Sequence, residues 1–227
     1  MIDLIYRILA SASAAMWKEE PDLGDYTAAT AEHELNLAQH YASRLRRWLP
    51  WLRCDCDVQK PPFGDRRPDI VCHRRGAHSA NFLVVEIKRG DDIAGGREDI
   101  AKIRRYWFAK PLGYRFGASL VFNENKHTAR IFVLSPGARE ALDGYCDAAN
   151  FIPLAEPKAD AAIQACIEWT DAIFAAEKAN DEARVALLKT EIDGHIFHLY
   201  GLAPAEVGAV RVDQEVVTTP ARKEVKS

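Results

Sequence analysis

The sequence predicts an α/β fold: a mixed central sheet flanked by helices, followed by a C-terminal helical extension. Two apolar runs, residues 67–73 and 81–89, read as neighbouring strands rich in Val, Ile and Leu. Residues 114–123 and 129–134 read as a second strand pair around Asn123-Glu124-Asn125-Lys126. Stretches of helical periodicity stand before, between and after these runs.

Taken in order, residues 1–17 read as a short amphipathic helix, with Ile2, Ile5, Leu9 and Ala12 on one face. Asp3 and Arg7 interrupt its apolar part and no cationic start precedes it, which argues against a signal peptide. Residues 21–25 read as a loop. Residues 28–49 read as a helix on which Ala38, Tyr41, Leu45 and Trp48 share a face, closed by Pro50. Residues 54–60 alternate like a strand, and residues 61–64 read as a turn. A polar link, residues 74–79, joins the two apolar strands. Residues 90–96 read as a loop with two acids, and residues 98–110 as a helix.

Beyond Pro136 the character changes. Residues 137–146 read as a short helix, and residues 158–178 and 181–200 as two long ones. Ile163, Ile167, Thr170 and Phe174 form one stripe; Val185, Leu188, Ile192, Ile196 and Leu199 form the other. Gly201 suits a C-cap, and Pro204-Ala205-Glu206 suits the start of a further short helix. The expected organisation is a core at 1–136, a helical extension at 137–212 and a polar tail at 213–227.

At 227 residues and 48% apolar content the chain can bury a core. No window is a long uncharged apolar run, so a membrane span is not expected. Five cysteines without framework spacing favour reduced thiols, and the reading is a cytoplasmic protein. Cys54, Cys56, Cys72 and His73 lie close enough to raise a zinc site, but a second pair at ligand spacing is missing. The net charge of −3 argues against a generic nucleic-acid coat. Its distribution is uneven: residues 44–115 hold 17 Lys+Arg against 9 Asp+Glu, and the remainder 13 against 24.

That basic segment contains the residues with chemistry in them. Pro68-Asp69-Ile70-Val71 puts an acid at the head of one apolar strand, and Leu83-Val84-Val85-Glu86-Ile87-Lys88 puts a Glu-x-Lys pair inside the next. Burying an unpaired charge is unfavourable, so two acids and a lysine in such strands need a reason. Two carboxylates and a lysine meeting where two strands adjoin suit metal-assisted phosphodiester hydrolysis. Glu34 shares the helix face of Ala38, Tyr41 and Leu45, which directs it toward the sheet rather than water.

Residues 26–135 resemble the PD-(D/E)xK nuclease superfamily, whose restriction-endonuclease-like core carries an acid at the start of one central strand and Glu/Asp-x-Lys on its neighbour. Asp69, Glu86 and Lys88 match that signature. The resemblance implies a metal-dependent DNA endonuclease using Mg²⁺, with Mn²⁺ as a substitute. It further implies that Asp69, Glu86 and the main-chain carbonyl of Ile87 hold the ion, that Glu34 completes the site, and that Lys88 is catalytic. Lys102, on the following helix, is an accessory candidate. Asp91, Asp92 and Asp57 are weaker candidates near the motif. Arg66, Arg67, Arg74, Arg75 and Arg89 are expected contacts to the DNA backbone. Residues 191–207 are similar to a motif near the C-terminus of some restriction–modification polypeptides, which points toward restriction or phage defence. The C-terminal helices would then serve homodimerisation or a partner protein. The alternative is a non-catalytic nucleic-acid-binding or assembly subunit of the same fold.

Overall fold

The structure, a computed structural model, describes residues 1–28, 33–60, 64, 66–158 and 161–200. It is α/β, with a six-stranded mixed open sheet and six α-helices among the described residues. The strands are β1 (Arg53–Cys56), β2 (Ile70–His73), β3 (Asn81–Arg89), β4 (Phe116–Asn123), β5 (Thr128–Leu134) and β6 (Leu142–Asp147). They lie side by side in chain order. Every neighbouring pair is antiparallel except β3 and β4, which run parallel because α4 (Ile93–Lys102) carries the chain back between them. Both faces of the central strands are covered, so β2 and β4 are buried throughout and β3 along most of its length.

One face carries the larger core. There α1 (Ile2–Glu19) and α3 (His33–Trp48) pack on Leu83, Val85, Ile87 and Phe122. The helix expected to be amphipathic at 1–17 is instead buried almost all round, and Ser11 and Ser13 satisfy their hydroxyls on carbonyls four residues back. The other face carries a smaller core of Val71, Val84, Val121 and Phe132 under Ile100, Ile103 and Trp107. The hairpin of α5 (Ala161–Lys178) and α6 (Glu182–Leu199) packs its buried stripe into the larger core. Arg115 ties α6 down, donating to both oxygens of Asp193 at 2.7 Å.

Several expectations need correction. Residues 137–146 do not form a helix: their second half is β6, which pairs with β5 from Val133↔Leu142 to Thr128↔Asp147. Helix-forming Ala, Arg, Glu and Leu are overridden there by sheet pairing. Gly144 is where Tyr6 of α1 presses onto the strand; a Cβ would stand 2.2 Å from its ring. The sheet thus extends past residue 136, where the core was expected to end. The loop expected at 21–25 contains the start of a short helix, α2 (Leu23–Ala28). The strand expected at 54–60 stops at Cys56, and Lys60 makes only an isolated bridge with Arg66. The features expected at Gly201, Pro204 and the polar tail, and the turn at 61–63, lie outside the described residues. No described helix is long and apolar enough to cross a membrane.

Candidate active site

The β2–β3 register fixes the centre of the site. Ile70 pairs with Val85, so Asp69 stands level with Glu86 at the edge where β2 begins and β3 ends. Asp69 sits where the ladder runs out. Its Oδ2 accepts the Ile87 N–H at 2.6 Å, taking the place of a main-chain carbonyl. N–H and C=O of one strand residue point to the same side, so the Ile87 carbonyl is directed toward the same corner.

Strand alternation puts Val84, Glu86 and Lys88 on the face covered by α4. That helix lies close because of Gly96, where a Cβ would stand 2.5 Å from Val121 Cγ2. The close approach brings Asp99 and Lys102 over β3. Lys102 Nζ donates to Glu86 Oε2 at 2.9 Å and stands 3.8 Å from Asp99 Oδ1. Lys88 Nζ lies 3.4 Å from Glu34 Oε2 and 3.8 Å from Asp99 Oδ2. Each ammonium therefore stands between two acids.

A π-helical turn, Ile103–Trp107, follows α4 directly. In an α-helix, side chains five residues apart point about 140° away from each other. The wider turn brings Trp107 back under Lys102, and its indole N–H donates to Glu86 Oε1 at 2.7 Å. Both oxygens of Glu86 are thus held, and the side chain is almost fully buried.

Burial dominates the electrostatics. It pushes Asp69 up to about 6, against the pull of the Ile87 N–H and both lysines. It pushes Glu86 up to about 7, helped by repulsion from Asp69 and opposed by Lys102 and Trp107. Burial raises Asp99 as well, again against Lys88 and Lys102. It works against the charge on Lys88, but Asp99, Glu34 and Asp69 outweigh it and hold that ammonium above its usual range.

The structure brings Asp69, Glu86, Lys88, Glu34 and Lys102 together. Glu34 reaches the site from the first turn of α3, but its side chain is 45% exposed, not turned into the sheet as its helical face suggested. Asp99 joins the site unannounced. On sequence, Asp99 with Lys102 and the neighbouring arginines fits a solvated helix face as well as one turned to the site; its side chain is only 8% exposed. The available signal was its place on the stripe of Gly96, Ile100, Ile103 and Trp107.

Other candidates fall outside. Asp57 pairs with Arg67 at 2.8 Å in solvent. Asp92 caps α4 by accepting the Gly95 N–H, and Asp91 accepts from Asn123. The cysteines are free, and Cys54 and Cys72 face one another across β1 and β2 with sulfurs 3.1 Å apart. Of the five arginines, Arg66, Arg67 and Arg89 flank the site. Arg89 pairs with Glu124, and Arg66 stacks on Tyr106 with 4.4 Å from guanidinium carbon to ring centre. Arg74 and Arg75 do not belong with them: they follow the other end of β2, roughly 15 Å away along the strands. There they pair with Asp171 and Asp55.

Among the described residues no group of three or more His, Cys, Asp and Glu side chains is arranged to hold a metal ion. Lys88 lies between Glu34 and Asp99, and Lys102 between Glu86 and Asp99. The donor chemistry nonetheless suits a hard divalent cation, because the site holds four carboxylates against two ammonium groups. Asp99 Oδ2, moreover, is buried without a hydrogen-bond partner. Comparisons with protein-family models, curated proteins and solved structures find no match to this chain.

Proposed function

We propose that this chain is a metal-dependent DNA endonuclease of the PD-(D/E)xK class. One observation carries the reading: Asp69, Glu86 and Lys88 come together at one end of the sheet, where β2 begins and β3 ends, with Glu34 on the preceding helix in reach of Lys88. The order of helix, strands, helix and strand around them agrees with the restriction-endonuclease-like core that the signature implies.

Asp69, Glu86 and the main-chain carbonyl of Ile87 would hold Mg²⁺ or Mn²⁺, with Glu34 completing the site. When bound, the ion would polarise the scissile phosphate and lower the pKa of a water near it. The chain's own groups do the rest. Trp107 fixes the rotamer of Glu86, and the Ile87 N–H fixes Asp69. Lys88, kept charged by the surrounding acids, offsets negative charge developing on the phosphate. Lys102 neutralises Glu86 by donating to its Oε2, a place that a cation held by that carboxylate would share or take. Arg66, Arg67 and Arg89 are placed to meet the backbone of a strand entering this edge.

A second reading, a non-catalytic nucleic-acid-binding or assembly subunit, draws on Lys102 and Trp107 satisfying Glu86 with no cation. The likeness of residues 191–207 to a restriction–modification motif supports a role in restriction or phage defence, with α5 and α6 as the surface for a second copy or a partner.

Incubation with supercoiled plasmid, linear duplex, single strand and RNA separates these readings. The nuclease cleaves DNA, loses that activity in chelator and regains it with Mg²⁺ or Mn²⁺. No cleavage of any substrate with either ion removes the proposal.

A further inference from the structure

Asp99 is the one acid of this cluster that the signature does not assign. Four acids surround two ammonium groups, and Asp99 alone touches both: Lys88 and Lys102 each lie 3.8 Å away, one at each carboxylate oxygen. Neither contact is a hydrogen bond at that distance. Its Oδ2 has no hydrogen-bond partner and the side chain is more than nine-tenths buried. A buried carboxylate oxygen without a hydrogen bond destabilises the fold. A purely structural acid would be better satisfied, as Asp92 is by the Gly95 N–H at the start of the same helix.

Its position also has a built-in cause. Gly96, one turn earlier, lets α4 sit against Val121, and only that approach brings a carboxylate from α4 to the level of Lys88. Without Asp99, Lys102 would keep Glu86 but lose its second acid, and Lys88 would keep the exposed Glu34 as its one acid within 4 Å, with Asp69 farther off. Lysine side chains are long and prefer water, so each ammonium would swing outward.

We propose that Asp99 is a positioning residue that holds the ammonium groups of Lys88 and Lys102 together inside the cleft. This rests on the nuclease reading for its consequence, a slower reaction, but not for the positioning itself. It acts through the lysines: Lys88 stays over the reacting phosphate, and Lys102 stays beside Glu86.

Three measurements on Asp99→Asn, Lys102→Met and the double variant test it. Acylation of lysines by a small amine reagent, read by mass spectrometry without metal or DNA, reports where the ammonium groups sit. Lys88 and Lys102 become several-fold more reactive in Asp99→Asn, while Lys110 and Lys126 do not change. Unfolding in chelator gives a midpoint for Asp99→Asn equal to or above the wild type, because a buried carboxylate oxygen without a hydrogen bond is gone. Cleavage falls roughly 10–100-fold in kcat with KM almost unchanged. The double variant loses little more than the worse single one, since the two residues act together.

Unchanged acylation of both lysines overturns the proposal, as does a lowered midpoint with kcat per folded molecule intact. If the wild type cleaves nothing, the nuclease reading fails by itself. The acylation and unfolding results then still decide whether Asp99 positions the lysines.

Discussion

Asp55 lies on β1 and Asp69 just ahead of the neighbouring β2, yet their carboxyl groups are driven in opposite directions. Asp55, on β1, accepts two hydrogen bonds from the Arg75 guanidinium and lies 3.0 Å from His73 Nε2. Arg75, chiefly by its hydrogen bonds, holds it at about 2 in spite of burial. Asp69 has one main-chain N–H and two lysines that do not quite reach it, and burial takes it to about 6. The first acid is fully answered by its surroundings and serves the fold. The second stands in an arrangement short of positive charge, and so do Glu86 and Asp99. A buried, under-neutralised cluster is an expected mark of a functional site, because it is what a bound cation or substrate relieves.

The sharpest way to break this contrast is to neutralise one acid from each region. Glu86→Gln or Asp69→Asn lowers the Mg²⁺-dependent cleavage rate by about 10³-fold or more, because the groups that would grip the ion and activate water are lost. Glu86→Gln unfolds no earlier than the wild type at pH 8. Asp55→Asn does the reverse: cleavage per folded molecule stays within about threefold, while the unfolding midpoint drops by about 3 °C as the charge-assisted pairing with Arg75 weakens. Rates and midpoints on the same preparations decide it, and equal loss of activity in Asp55→Asn would erase the distinction.

Glycine 96 gives the next largest effect. Alanine there drives its Cβ against Val121, so α4 lifts from the sheet. Overpacking of this kind destabilises by about 1–3 kcal/mol. Asp99 and Lys102 would recede with the helix, so under the nuclease reading kcat is expected to fall beyond what unfolding explains. A variant with normal activity and a normal midpoint would show that the close approach is not needed.

How far the site was legible follows the range of the contacts. Asp69, Glu86 and Lys88 could be read because strand alternation and the acid at the head of β2 are local patterns. Asp99 was not legible on its own, because Asp99, Lys102, Arg104 and Arg105 suit a solvated helix face as well as one turned to the site, although Gly96, Ile100 and Ile103 mark a stripe beside it. Trp107 was not legible at all: its reach to Glu86 depends on a π-helical turn that no local periodicity announces. The strand β6 was missed for a related reason, since its Ala-rich lead suggests a helix and only the partner β5 makes it a strand. Arg74 and Arg75 looked equivalent to Arg66 and Arg67 in composition. Topology separates them by a strand's length.

The pH dependence sharpens the comparison further, with opposite signs in the two regions. Asp69 and Glu86 have folded values above their unfolded ones, near 6 and 7 against about 4. Their contribution to stability is full below pH about 4 and is lost as pH rises through 6 and 7. Asp55 is depressed to about 2, so its contribution is present above pH about 4 and lost as pH falls through 2. In chelator, the midpoint therefore declines between pH 5 and 8, and Glu86→Gln flattens the decline. Mg²⁺ is expected to reverse it, because the ion would bind the ionised carboxylates, and the rise on adding Mg²⁺ should be larger at pH 8 than at pH 5. A Mg²⁺ effect independent of pH would separate the ion from these acids.

The smallest expected effects concern the arginines, and they test the geography of the sheet. Arg66 precedes Asp69 by three residues and stacks on Tyr106, whose neighbour Trp107 holds Glu86. A phosphate backbone lying along this edge would meet it. Arg66→Gln is expected to weaken duplex binding a few-fold and reduce the slope of log affinity against log salt by about 1. Arg74→Gln and Arg75→Gln, at the other end of the strands, leave that slope unchanged while loosening the contacts to Asp171 and Asp55. Fluorescence anisotropy across a salt series, with Ca²⁺ in place of Mg²⁺ to prevent cleavage, reads the slopes. Equal slopes for all three variants would mean that the nucleic acid spans the whole length of the sheet, and the site edge would lose its claim to be the sole point of entry.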